Sequence, residues 1–122
     1  MLDTSVFVAR EQTRPLAELP AEGRVSVITV AELRIGVLVA SEPSVRAQRM
    51  RTLAEVEALV AVPVDDDTAR QFAEVVAEAR QQGRRPKVLD SLIAATARVL
   101  DVPVYTQDAD FDEIPGVRVV RV

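Results

Sequence analysis

The sequence predicts an α/β protein: a three-layer sandwich whose central, mostly parallel sheet of four to five strands is flanked by helices. Three observations lead there. Short β-branched runs alternate with stretches of helical spacing, the order expected of βα units. Those runs are apolar throughout rather than alternating, as strands covered on both faces require. A chain of 122 residues, 48% hydrophobic and 28% charged, suits one domain over residues 1–122 with one core.

Strands are expected near Met1–Asp3, Val25–Ile28, Val60–Val64, Val102–Tyr105 and Val117–Val122. The last reads as an edge strand, because Arg118 and Arg121 interrupt its apolar run. Helical spacing runs from Val30 to Ala40, with Gly36 as a point of close packing. A second stretch, Ser44 to Leu59, carries Val45, Leu53, Val56 and Leu59 mainly on one side, with Pro43 just ahead of its start. Thr68 to Gln82 presents Phe72, Val75, Val76 and Ala79, and Gly83 supplies the stop. Leu89 to Leu100 buries Leu89, Leu92, Ile93, Thr96, Ala97 and Leu100.

Composition narrows the chemistry. There is no cysteine, hence no disulfide, thiolate nucleophile or zinc knuckle, which suits a reducing, cytoplasmic setting. No apolar run is long enough to span a bilayer, and no export signal opens the chain. There is no histidine either. A Ser-His-Asp triad, a metalloprotease His pair and a His-based ribonuclease are therefore excluded. Carboxylates remain, and they most naturally work by holding hard cations such as Mg²⁺ or Mn²⁺.

Nineteen acidic residues are available, most of them ordinary surface charges. Asp3 follows the first strand and precedes Thr4-Ser5, where it also reads as a turn or N-cap. Glu32 follows the second strand and matches a capping box with Thr29 as N-cap. Asp90 is different: it interrupts an apolar helix start, Val88-Leu89-Asp90-Ser91-Leu92-Ile93, and a half-buried carboxylate needs a partner to stay ionised. Asp108 and Asp110 follow the fourth strand beside Phe111, which is expected to anchor their loop in the core. The EF-hand spacing fails there. Asp65-Asp66-Asp67, the most visible acidic run, is discounted, because Asp67 or Thr68 can cap the next helix.

A parallel sheet gathers strand ends and following helix starts on one edge. Asp3, Glu32, Asp90 and Asp108 all occupy such positions, with Asp110 beside them. Five carboxylates in one place repel unless divalent cations neutralise them, and setting those five acids aside turns a net charge of −4 into +1. Metal-assisted phosphodiester chemistry follows. Arg80, Arg84, Arg85 and Lys87 lie just upstream of Asp90 and read either as a solvated helix end or as contacts to nucleic-acid phosphates. At 3% aromatic residues, extensive base stacking is not expected.

Four segments in order, Leu2-Asp3-Thr4-Ser5-Val6, Val30-Ala31-Glu32-Leu33, Leu89-Asp90-Ser91-Leu92-Ile93-Ala94-Ala95-Thr96-Ala97 and Thr106-Gln107-Asp108-Ala109-Asp110-Phe111, together resemble a PIN domain, and more narrowly the VapC toxins of bacterial toxin–antitoxin pairs. The resemblance spans nearly the whole chain. It implies a PIN-like sandwich and a Mg²⁺-dependent endoribonuclease, usually a homodimer, held inactive by a VapB-type antitoxin. By the same resemblance, Asp3, Glu32, Asp90 and Asp108 are the acidic metal ligands and Asp110 is an additional carboxylate. Thr4, Ser5 and Thr106 match hydroxyls that support the site. Two departures stand out. Only Met1 and Leu2 precede Asp3 where relatives carry several apolar residues, implying a short first strand or a start further upstream. Gln107 is neutral where relatives are often basic.

On this view Asp3, Asp90 and Asp108 bind the cations directly, while Glu32 and Asp110 act through water or complete a second position. Water activated by the cation then attacks the phosphorus. The alternatives are a PIN nuclease outside any toxin–antitoxin pair, a PIN-like binding module, and a receiver-type phosphoacceptor domain. The last fits poorly, because Asp3 is followed by Thr4-Ser5 and Lys87 precedes the fourth strand.

Overall fold

Two parallel strand pairs form the centre of the computed structural model, which describes residues 1–122. β1 (Val25–Ser26) lies beside β2 (Ala61–Val62), with Val25 opposite Ala61. β3 (Val104–Thr106) lies beside β4 (Val119–Arg121), with Val104 opposite Val119. The N-terminal residues join the pairs. Leu2 bridges Tyr105 in parallel, the Tyr105 amide donates to the Met1 carbonyl (2.8 Å) and the Asp3 amide to the Tyr105 carbonyl (3.0 Å). On the other side the Leu2 amide donates to the Arg24 carbonyl (2.8 Å). The spatial order is therefore β2, β1, Met1–Asp3, β3, β4.

Successive residues of these strands face opposite layers. Met1 and Val104 belong to a core built with Val75, Ile93, Ala94, Ala97, Phe111 and Ile114. Leu2 and Val25 belong to a second, with Phe7, Leu33 and Val56. The one core expected is thus divided by the sheet into two. Gly23 keeps its place beside the N-terminal strand because a Cβ there would meet Leu2 Cδ1 at 2.6 Å.

The strands are shorter than the β-branched runs predict. The run Val25–Ile28 stops at Ser26, whose hydroxyl accepts from the Ile28 amide (3.1 Å) and caps α2 (Val27–Val39). Thr29 is consequently not an N-cap, and Glu32 lies in the second turn of α2 rather than closing a capping box. Gly36 is no close-packing point, since a Cβ there would find only Arg49 Cδ at an ordinary 3.8 Å. A helix absent from the expected set, α1 (Thr4–Glu11), follows Asp3 and buries Val6, Phe7 and Ala9. α3 (Pro43–Glu57) takes Pro43 as its first residue, where a missing N–H costs nothing. Of its predicted stripe only Val56 is fully buried, and Leu59 falls beyond its end.

α4 (Asp66–Gln81) starts two residues earlier than expected. Its cap is Asp65, whose carboxylate accepts from the Thr68 amide and hydroxyl, both at 3.0 Å, rather than Asp67 or Thr68. Those two bonds hold the exposed Asp65 carboxyl below the usual carboxylate range. Gly83, at φ +72°, ends that segment as predicted. α5 (Val88–Leu100) turns Asp90, Ser91, Ile93, Ala94, Ala95, Thr96 and Ala97 inward, while Leu89 is 41% exposed, not buried. The buried face of α5 therefore includes Asp90. After β3 a 3-10 helix, Ala109–Glu113, carries the fully buried Phe111. α4 and α5 cover one face of the sheet; α1, α2 and α3 cover the other. No helix is long and apolar enough to cross a membrane.

Candidate metal centre

Asp3 ends the N-terminal strand and caps α1, accepting from the Ser5 amide (3.2 Å). It is only 3% exposed. The Thr106 hydroxyl, at the end of β3, donates to the same Asp3 oxygen at 2.8 Å and accepts from the Asp108 amide at 2.9 Å. The Ser5 hydroxyl lies 3.1 Å from Thr106 Oγ1 and accepts from the Gln107 amide (2.9 Å). One network of hydroxyls and amides thus ties two strand ends together and turns both carboxylates onto one edge of the sheet. Asp108 in turn caps the 3-10 helix through the Asp110 amide (2.9 Å).

Asp90 enters from the first turn of α5 at 8% exposure. Its Oδ2 is buried without any hydrogen-bond partner. Asp90, Asp108 and Asp110 each offer a carboxylate oxygen, and those oxygens all lie within 4.8 Å of one another. Asp110, expected as an accessory carboxylate, therefore belongs to the tightest acidic group. Asp3 and Glu32 stand outside that group but within its field. Burial pushes the Asp90 carboxyl up to about 6, and the charges of Asp3, Asp108 and Glu32 add to the rise.

Glu32 reaches the centre from α2. The Thr4 hydroxyl donates to its Oε1 at 2.7 Å and lies 3.2 Å from the Thr29 hydroxyl. Burial raises the Glu32 carboxyl above its ordinary value, against the lowering effect of the Thr4 bond. Lys87 is the one cation of the chain inside this field. Its ammonium lies 2.6 Å from Asp110 Oδ2, and this bond raises its own pKa. Of the five predicted acids, Asp90, Asp108 and Asp110 form one close group, while Asp3 and Glu32 lie near enough for their charges to act on Asp90. Thr106 and Ser5 hydrogen-bond at Asp3, and Thr4 at Glu32. Thr29 and the Lys87–Asp110 pair are the participants that sequence patterns did not single out for this site. Both depend on contacts between distant segments.

The other predicted cations sit beside the centre. Arg80 is in the last turn of α4, and Arg84 and Arg85 lie in the connection to α5. Arg84 reaches Glu113 at 3.6 Å. The Asp65–Asp67 run is structural as expected: Asp65 caps and Asp67 pairs with Arg70 (2.8 Å).

The donor set suits a divalent cation. It is all oxygen, anionic, and contains a buried oxygen atom with nothing to bind. The sequence and fold that carry this constellation have known counterparts. The PIN domain family model matches residues 1–117. The chain belongs to the PIN domain family. This PIN domain is 44% identical to ribonuclease VapC5 of Mycobacterium tuberculosis over all of its length and 94% of the relative's. Ribonuclease VapC8 of the same organism is 41% identical, over 81% of this chain and 90% of that one. The crystal structure of the toxin–antitoxin system VapBC-5 from M. tuberculosis superposes with a TM-score of 0.87 at 41% identity, covering 99% of this PIN domain and 96% of the other chain. FitAcB from Neisseria gonorrhoeae superposes at 0.77 with 28% identity, covering 97% and 94%. The receiver-type alternative falls with this membership.

Proposed function

We propose that this protein is a VapC-type endoribonuclease that depends on a divalent cation, Mg²⁺ or Mn²⁺, and is inhibited by a VapB-type antitoxin. The observation that carries the reading is the unpartnered, buried Asp90 Oδ2 inside a ring of like charges, in a chain closely similar to VapC ribonucleases. Asp3, Glu32, Asp90, Asp108 and Asp110 would hold the metal, and its Lewis acidity would ionise water and stabilise charge on a phosphodiester.

The remaining roles belong to the chain. Asp90, once deprotonated, would offer a divalent cation a buried anionic oxygen that has no other partner. Thr106 holds Asp3 and Asp108 in register, and Thr4 orients Glu32, so the carboxylates are arranged before substrate arrives. Lys87 offsets part of the negative charge from the side of Asp110. Arg80, Arg84 and Arg85 attract the RNA backbone, which an uncompensated acidic centre would repel. As in the relatives described as toxin–antitoxin systems, the partner would be an antitoxin chain, with the nuclease itself a homodimer working in the cytoplasm.

Cleavage of total RNA by chelator-stripped protein, with Mg²⁺ or Mn²⁺ restored or with EDTA, tests the reading. Cleavage only with the cation is expected. Cleavage that persists in EDTA overturns the metal requirement, and no cleavage under any condition overturns the nuclease.

A further inference from the structure

Beside the acidic centre lie two adjoining cavities that share Arg85 and Pro86. The nearer, about 180 Å³, is bordered by Lys87, Asp110 and Glu113 and so opens onto the metal-binding edge. The farther, about 200 Å³, has an apolar floor of Phe72 and Val76 on α4 and is rimmed by Arg80, Arg84 and Arg85. Its one uncharged polar side chain, Ser91, commits its proton to the Lys87 carbonyl (2.8 Å).

A helix end explains Arg80, which sits in the last turn of α4, but not Arg84 and Arg85, which lie beyond it. Arg84 pairs with Glu113, whereas Arg80 and Arg85 form no ion pair. Two unpaired guanidinium groups therefore line the same cavity as a half-buried aromatic ring, one cavity away from Asp110. An apolar floor under a cationic rim matches a nucleotide, whose base is apolar on its faces and whose phosphate is anionic. The volume is below the roughly 300–1,000 Å³ of drug-sized sites, so it suits one ring system and not several.

We infer that this pocket is a subsite for one unpaired nucleotide of an RNA strand, its base on Phe72 and its phosphates on Arg80 and Arg85, and that the strand runs through the Arg85–Pro86 junction to the acidic centre. The inference rests on the ribonuclease reading for the identity of the strand. Because Ser91, the one uncharged polar side chain of the lining, already donates to the Lys87 carbonyl, the pocket takes a nucleotide by stacking and charge rather than by reading one base. It deepens the site by adding a place beside the carboxylates that holds the base of one substrate nucleotide.

The test is binding of a short fluorescent oligouridylate to chelator-treated protein, followed by anisotropy over a range of salt concentrations. The expected result is that Phe72→Leu weakens binding about tenfold, the loss of one aromatic stack. Arg80→Gln and Arg85→Gln should each weaken it and lower the salt slope by about 0.7. Duplex RNA should bind the wild type more weakly, with no sensitivity to Phe72→Leu. Melting temperatures within a few degrees of wild type establish that the variants fold; a second substitution, Phe72→Met, serves if Leu does not. Unchanged oligouridylate binding in the Phe72 variants overturns the subsite. If that is accompanied by weaker self-association, a second copy of the chain occupies the pocket instead. Total-RNA cleavage by the wild type separates the two readings. Cleavage without any effect of Phe72 removes the subsite and keeps the nuclease. Phe72-dependent binding without cleavage keeps the subsite and removes the nuclease.

Discussion

Thr106 Oγ1 donates to Asp3 at 2.8 Å across 103 positions of sequence and accepts from the Asp108 amide at 2.9 Å. One buried hydroxyl therefore ties together two acidic residues that follow different strands. Thr106→Val keeps the shape but leaves Asp3 and the Asp108 amide short of a partner. The expected outcome is a 10–100-fold loss of metal affinity, the usual effect of removing a group that orients a ligand. Mn²⁺ titration by calorimetry measures it. Thr106→Ser should stay near wild type, since it retains the oxygen.

Asp90→Asn should separate activity from stability. The carboxylate is the buried anion among Asp3, Asp108 and Glu32, so RNA cleavage should fall by at least about a hundredfold. The metal-free protein should at the same time gain on the order of 1 kcal/mol, because a desolvated, repelled charge is removed and solvent screens part of the effect. Thermal melting in EDTA and cleavage in Mg²⁺ then move in opposite directions. A variant that melts lower and still cuts RNA would contradict both halves.

The pH dependence follows from the same carboxyl. Its folded-state value is about 6, against an unfolded value near 3.9. Between those values the folded state binds more protons than the unfolded one, so stability falls as pH rises through the window. Glu32, also raised, contributes in the same direction. Urea midpoints of metal-free protein, compared with those of Asp90→Asn from about pH 4 to about pH 6.5, should show the wild type losing ground to the variant. Added Mg²⁺ reverses the trend, because only deprotonated carboxylates bind it and its stabilisation grows with pH.

Asp90 was legible in the sequence because it breaks an apolar helix start, and a buried charge there has few structural uses. Asp3 carries two meanings at once: the capping one is seen at α1, and its charge also reaches Asp90. Glu32 shows where local patterns run out. Ser26 and Thr29 are both competent caps, and nothing within a few residues says that the strand ends at Ser26. The helix Thr4–Glu11 escaped for a related reason. Thr-Ser-Val-Phe-Val has β-branched character, and the segment is helical because Val6, Phe7 and Ala9 are buried by other elements. The Lys87–Asp110 pair and the Thr4–Thr29–Glu32 hydroxyl chain bring together separate segments, so no spacing rule reaches them.

Phe111 couples the core to the chemistry. It is fully buried among Ile93, Val104 and Ile114, while its neighbours Asp108 and Asp110 supply two of the three closest carboxylates. Phe111→Ala should cost about 3–5 kcal/mol, the range for deleting a buried aromatic side chain. That is a large share of the roughly 5–15 kcal/mol available to a domain of this size, so the urea midpoint should drop sharply. Phe111→Leu keeps most of the volume and should cost under about 1.5 kcal/mol. The folded Leu variant therefore isolates the anchoring role. If the ring holds the 3-10 helix in place, the Mg²⁺ needed for half-maximal cleavage rises while the fold survives. If that concentration is unchanged, the hydrogen bonds of Thr106 and Asp108 alone position the two carboxylates.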